Sequence, residues 1–293
     1  MRGLGVILII LVLFVSCKGK RKDVIPESRT SGKTTLLVDE SFSRLLDDQI
    51  QVFVSDYPNA QIKTILGVEG NILPQLLNGK ERMVILSRML KPSEMAYYRQ
   101  KQIQVYTDRF AIDGIALITN SENNDTLVTV NQIFDVLKGL PSKRKLVFDN
   151  ANSSTVRYFM DSAQVKTLPE SGVYTLNTNN DVIKYIAENK NYIGVVGINW
   201  LLRNQGDILA YIPKVKIMGV KGEKDDKYYK PDQNSLINGT YPFLRNIYII
   251  NCEGKNGLGT GFANWLNSPR GQLIVLKSGL GPHKMISRDF NLR

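Results

Sequence analysis

The chain has 293 residues, 43% of them hydrophobic, enough to bury one large domain or two smaller ones. Charged residues make up 22%, close to ordinary globular usage, which excludes wholesale disorder. The net charge of +11 is compatible with nucleic acid, an anionic membrane or an anionic ligand. The one dense basic run is Lys18, Lys20, Arg21 and Lys22, and the other cations are scattered, which argues against a nucleic-acid groove. With Cys17, Cys252 and a single histidine, His283, neither a disulfide framework nor a Cys/His metal cluster is expected. No metal or other cofactor is expected, and His283 reads as a surface residue.

Met1-Arg2 is a short basic start, and Leu4 to Val15 is an apolar run interrupted only by Gly5. That run is too short for the ~20 residues a membrane-spanning helix needs, and it reads as a signal peptide over residues 1–16. It closes on Leu13-Phe14-Val15-Ser16-Cys17, which resembles a lipobox and makes Cys17 the expected lipidation site. Residues 17–32 read as a lipidated tether, polar and carrying Pro26, Ser28, Ser31 and Gly32. The domain is therefore expected in the cell envelope, facing the periplasm. The absence of an acidic residue directly after Cys17 favours the outer membrane over the inner. Gly32-Lys33-Thr34 mimics the end of a P-loop, but Glu27 stands where that motif needs glycine.

Strands and helices then alternate. Thr35 to Val38 is a strand, and Phe42 to Tyr57 has its apolar residues on one helical face before Pro58. Ala60 to Leu66 is a strand, Ile72 to Leu77 a helix and Met83 to Leu86 a buried strand. Ser93 caps a helix reaching Lys101. Phe110 to Asn120 is a long apolar strand. Thr129-Val130-Asn131-Gln132 is a capping box opening a helix that Gly139 closes. Lys145 to Phe148 is a strand, a helix begins near Ser153, and the helix Asp181 to Asn189 precedes the strand Ile193 to Val196. Ser268-Pro269 opens a helix ending at Gly279. This alternation predicts an α/β fold with mixed, mostly parallel sheets and flanking helices, and ligand beyond the strands' carboxyl ends.

Small polar residues gather at those ends. Asp39-Glu40-Ser41 follows the first strand, Ser87-Arg88 another, and Asn152-Ser153-Ser154-Thr155 with Arg157 opens a helix. Hydroxyls and free amides at helix starts favour negative charge, and Arg holds an oxyanion bidentately. Three such sites together point to a small tetrahedral oxyanion.

Several segments, in order, resemble the PstS-type phosphate-binding proteins of ABC transporters. They are Asp113 to Asn120, the helix ending at Gly139, the loop Asn152 to Arg157, and Leu86-Ser87-Arg88. Tyr192 to Gly197, Phe262 to Trp265 and Gly271 to Pro282 complete the set. The resemblance implies a two-lobed periplasmic-binding-protein fold with two hinge crossovers, at Phe110 to Asn120 and Phe243 to Asn251. Lobe one would hold residues 33–117 and 245–293, and lobe two residues 118–244. The resemblance carries over Ser41, Ser87, Ser153, Ser154 and Thr155 as oxyanion donors, together with Arg88. Arg157 stands one position off the matching arginine, and Asn152, which opens the same loop, is a further candidate ligand-binding residue. Where that family has a glycine- and serine-rich loop, this chain has Gly67-Val68-Glu69-Gly70. Glu69 has two readings: it accepts the proton of hydrogen phosphate, or it repels phosphate.

The expected function is a lipid-anchored, monomeric solute-binding protein that captures phosphate for an ABC permease. The alternative is an envelope scaffold or sensor that uses the same fold to bind a protein partner. Catalysis is not expected, because no Gly-x-Ser-x-Gly motif or nucleophile–base pairing stands out.

Overall fold

The computed structural model describes residues 26–202 and 206–284. The signal-peptide, Cys17 lipidation and basic-run readings lie outside the described residues, as does the tether up to residue 25. Among the described residues, no helix is long and apolar enough to cross a membrane.

The order begins β1 (Gly32–Asp39), α1 (Ser43–Asp56), β2 (Ala60–Gly67), α2 (Glu69–Leu77), β3 (Met83–Leu86), α3 (Met95–Gln100). The long strand β4 (Tyr106–Asn120) leads to β5 (Leu127–Thr129), α4 (Val130–Leu137), β6 (Leu146–Phe148) and α5 (Ser154–Ala163). Next come β7 (Val173–Thr175), α6 (Asn179–Glu188), β8 (Ile193–Gly197), α7 (Asn199–Leu202), β9 (Val215–Ile217) and β10 (Gly219–Lys221). The chain closes with α8 (Gln233–Ile237), β11 (Leu244–Asn251), α9 (Leu258–Leu266), α10 (Pro269–Lys277) and β12 (Gly281–Pro282).

Local chemistry explains the boundaries. At α4 the Thr129 hydroxyl accepts the Gln132 N–H and the Gln132 side chain accepts the Thr129 N–H, the reciprocal box expected from sequence. Gly139 and Gly279 follow α4 and α10 with φ of 70° and 79°, the left-handed geometry that glycine adopts without strain.

The main sheet runs β2-β1-β3-β11-β4-β8-β6-β7. Its two wings are parallel: β1 with β2 and β3, and β6 with β7 and β8. Its centre is antiparallel, because β11 runs against β3 and β4, and β4 against β8. The chain is thus built on a mixed sheet whose parallel parts are its two outer wings. Alternation along β1 and β3 explains their unbroken apolar runs. Leu36, Val38, Met83 and Ile85 face the large core, whereas Leu37, Val84 and Leu86 face a second cluster with Ile72, Leu76 and Tyr98.

The two crossovers expected from sequence are β4 and β11. β4 pairs with β11 up to Gly114 and with β8 from Ile115 onward. At that point Ile115 N–H donates to Phe243 C=O at 2.9 Å, and Ile198 N–H donates to Gly114 C=O at 2.9 Å. The fold is therefore two α/β lobes joined through these strands.

Gly194, on β8, permits close helix packing: a Cβ there would meet Ile186 at 2.7 Å, Ile118 at 2.8 Å and Val182 at 2.9 Å. Gly194→Ala is expected to destabilise by about 1–3 kcal/mol through overpacking, measurable as a lower denaturant midpoint with an unchanged slope.

Candidate functional site

The carboxyl ends of β1, β2 and β3 meet those of β6 and β8 across the lobe seam. Direct bonds close it: Gly70 N–H donates to Asn152 C=O at 3.2 Å, and the Asn199 amide donates to Ser41 C=O at 2.8 Å. The seam has an inner and an outer layer.

The inner layer is built on Arg245, from β11, and Asp113, from β4, both essentially without exposure. Arg245 Nε donates to Asp113 Oδ2 at 2.7 Å. Its Nη1 donates to Ser154 Oγ and Thr155 Oγ1, each at 3.2 Å, which leaves both hydroxyl protons free to be donated elsewhere. Ser41 Oγ lies 3.5 Å from Ser154 Oγ, so hydroxyls from the two lobes touch. Asp39, with no exposure, accepts the Ser41 N–H through Oδ1, while its Oδ2 has no hydrogen-bond partner among the described residues. The same is true of Arg245 Nη2 and Asn199 Oδ1. Asp113 Oδ1 is a fourth, and because a buried unpaired polar atom costs about 1–3 kcal/mol, their gathering around one seam marks a place built for polar contact.

The outer layer centres on Glu69, the first residue of α2 and 3% exposed. Arg88 Nε donates to Glu69 Oε1 at 2.7 Å. Arg157 Nε, from the other lobe, lies 2.9 Å from Oε1 and 3.0 Å from Oε2. Arg157 Nη2 donates to Ser87 Oγ at 2.8 Å, and Nη1 to Asp161 Oδ2 at 3.0 Å. The rest of the Arg88 fork is held by Glu94, at 2.7 and 2.9 Å, and by Met89 C=O. Two guanidinium groups, one from each lobe, therefore grip one carboxylate, and the Ser87 hydroxyl steadies Arg157 across the seam. A cavity of about 420 Å³ opens beside it, lined by Glu69, Asn152, Ser153 and Arg157 among others.

The sequence-predicted residues fare differently. Ser41, Ser154 and Thr155 gather in the inner layer, and Ser87, Arg88, Arg157 and Glu69 in the outer. Ser153 is used locally: its hydroxyl caps α5 by accepting the Val156 N–H at 3.2 Å and donates to Asp149 Oδ1 at 2.5 Å. Asn152 meets the opposite lobe through its backbone carbonyl, and its side chain is exposed. Sequence reasoning did not single out Arg245, Asn179 or Asn199, nor Asp113 and Asp149 as chemical groups. Local sequence offered little signal for Arg245 and Asp113: β11 carries a single charge, Arg245, and β4 carries Asp108 and Arg109 besides Asp113. His283 is not the plain surface residue expected, because it is half-buried and its Nδ1 accepts from Arg109 Nε at 2.9 Å.

Charge in the seam is dominated by carboxylates. Burial raises the pKa of Asp39 and Asp113, with the Arg245 charge opposing it in both. Asp149 is raised to about 6, chiefly by burial, with its bond from Ser153 opposing. Glu40 rises to about 7, first through burial and then through the charges of Asp149 and Asp39. A carboxyl whose folded pKa exceeds its unfolded value binds more protons when folded, so its contribution falls as pH climbs through that interval. For Glu40 the interval runs from 4.5 to about 7. Glu40→Gln is therefore expected to raise the melting temperature relative to wild type at pH 8, with the gain vanishing near pH 4. A gain equal at both pH values would refute this.

A family model described as "PBP superfamily domain" matches residues 24–270. The chain belongs to this superfamily. Among curated relatives, the phosphate-binding protein PstS of Pseudomonas aeruginosa is 22% identical over 282 residues, covering 87% of this chain and 84% of that protein. PstS of Staphylococcus haemolyticus is 22% identical over 245 residues, covering 78% and 71%. Among solved structures, a phosphate ABC transporter substrate-binding protein with bound phosphate from Clostridium perfringens superposes with TM-score 0.71 at 20% identity. The match covers 86% of this chain and all of that one. An ABC-type phosphate transport receptor from Vibrio cholerae gives 0.66 at 19%, covering 86% and 100%. At these identities the superpositions speak for the two-lobed fold of this PBP-superfamily chain.

Proposed function

We propose that this chain is an extracytoplasmic solute-binding protein that captures phosphate in the lobe seam. It is tethered through lipid at Cys17, with lobes of residues 33–117 plus 245–293 and 118–244, and it delivers its cargo to an ABC permease. One observation carries the reading: Arg88 and Arg157, from opposite lobes, converge on a single buried anion, and Ser87 accepts a bond from Arg157 beside it. That anion is the protein's own Glu69 carboxylate, with oxygens at the spacing an oxyanion presents to an Arg fork. In this reading hydrogen phosphate displaces Glu69 as the lobes open and reclose. It meets protons on the seam carboxyls whose pKa values are raised. The likeness to phosphate-binding proteins across most of the chain supports the same cargo. Capture of this kind needs no catalysis.

Isothermal titration of the folded chain with phosphate tests the reading, with sulfate as the comparison anion. Saturable one-to-one heat with phosphate is expected, and its absence at millimolar phosphate would remove the reading. A second reading, an envelope scaffold or sensor, is favoured by Glu69 itself, which with Glu94 and Asp161 already balances both arginines. Recovery of a permease from membranes with the tethered chain supports transport, and recovery of an envelope complex alone supports the scaffold.

A further inference from the structure

At the end of lobe one opposite the seam, the amino ends of β1 and β3 and the carboxyl end of β11 come together. Lys33 begins β1, Lys63 lies on β2, Lys80 and Arg82 precede β3, and Lys255 follows β11. These five cations line one groove of about 740 Å³, with Glu81 and Glu253 as its carboxylates. Glu253 is half-buried and accepts from Thr34 Oγ1 at 2.7 Å, which fixes it inward. A second groove of about 910 Å³ shares Arg82 and Lys255 and adds Arg29. Lys33, Lys63, Lys80 and Arg82 are exposed, and among the described residues none has an ion-pair partner. Lys255 pairs with Glu27. Arg29 is held outward on Asn256 by a 2.7 Å bond.

The direction of the chain adds a second, independent fact. β1 begins at this face, and the segment entering it, Pro26 to Ser31, is anchored there: Arg29 Nε donates to Asn256 Oδ1, and Gly32 N–H to Asn59 C=O. The sequence before it carries Lys18, Lys20, Arg21 and Lys22. In sequence the basic run precedes β1, the strand that starts at this cationic face on the end away from the seam. The five groove cations outnumber its two carboxylates, Glu81 and Glu253, which leaves net positive charge at this face. A bilayer rich in anionic headgroups supplies a counter-charge of matching extent.

We propose that this face of lobe one docks on an anionic lipid surface, holding the domain with its seam turned away from the membrane that anchors it. The proposal rests on the tethering part of the functional reading, and its test separates the two. The full lipidated chain is reconstituted into neutral phosphatidylcholine vesicles and into vesicles with roughly a third phosphatidylglycerol. Flotation with the neutral vesicles reads the anchor alone. Acetylation rates of individual lysines, read by mass spectrometry, report the docked face.

Lys33, Lys63, Lys80 and Lys255 are expected to react about fivefold more slowly on anionic vesicles than on neutral ones, with the difference erased by high salt. Lys138 and Lys166, exposed on lobe two, should react alike on both. The exposed double variant Lys63→Glu/Lys80→Glu should float normally and lose the protection at Lys33 and Lys255. Equal rates on both vesicles, or protection shared by Lys138 and Lys166, would overturn the proposal. If the chain does not float on neutral vesicles, the anchor reading fails. The same protection map on chain adsorbed to anionic vesicles then decides the face on its own, and failure to adsorb counts against it.

Discussion

Glu69→Gln is expected to lower stability in phosphate-free buffer and to raise phosphate affinity. The substitution keeps the shape of the side chain and removes the charge that Arg88 and Arg157 share. Both guanidinium groups are mostly buried, with side-chain exposures of 13% and 24%. Breaking a fully buried pair costs about 3–5 kcal/mol, and the partial exposure here brings the expected loss to about 2–3 kcal/mol. In wild type an arriving anion competes with a carboxylate fixed at bonding distance from the same N–H groups. In the variant that competitor is neutral, and affinity should improve by about tenfold or more, the equivalent of ~1.4 kcal/mol. Thermal melts with and without phosphate, together with titration calorimetry, check both halves. The diagnostic result is opposite signs: lower stability without ligand and a larger ligand-induced gain. A variant less stable under both conditions and unable to bind would place Glu69 as a structural bridge and favour the scaffold reading.

Arg245→Met carries the second large effect. Its guanidinium and the Asp113 carboxylate are 1% and 0% exposed, and the pair joins the two crossover strands. Removing the cation leaves a buried charge without its partner and strips Ser154 and Thr155 of their common donor. The expected cost is about 3–5 kcal/mol, read by chemical denaturation at neutral pH. The sign with pH follows from Asp113, whose carboxyl already tends toward the neutral form through burial. In Arg245→Met its folded pKa rises further, so the variant's deficit should shrink as pH falls and the carboxyl takes a proton. Asp113→Asn in the same background should recover part of the loss. A deficit that is flat with pH and unaffected by the second substitution would mean that the packing of Arg245 over the Phe42 ring, 4.7 Å away, matters more than its charge.

The elements that the sequence made legible are those whose signals are local. The Thr129 capping box, the Ser153 and Ser268 caps, and the apolar runs of β1, β3 and β8 depend on neighbours within a few residues, and each stands where the pattern put it. Both crossovers were visible as long apolar strands, but their antiparallel direction at the sheet centre depends on pairing between residues 130 or more positions apart. Hydroxyls at strand ends could be listed from sequence as donors, but their duties could not be. Ser153 faces inward to Asp149 and the start of its own helix, whereas Ser154 faces Arg245. That division depends on which turn of α5 meets the hinge. Arg245 escaped notice because a lone arginine in a strand has no local signature, and its role appears only when β4 brings Asp113 alongside. Glu69 was visible as a departure in a glycine-containing loop. Its dual grip on Arg88 and Arg157 needs both lobes in place.

The central claim is that the seam is an anion site in which Glu69 stands in for the ligand. A crystal structure grown with phosphate tests it most directly. The account predicts tetrahedral density within hydrogen-bond distance of Arg157 and Ser87, with the Glu69 carboxylate swung away from Arg157. A saturated crystal in which Glu69 still holds both arginines, and phosphate is absent from the seam or bound outside it, would contradict the account.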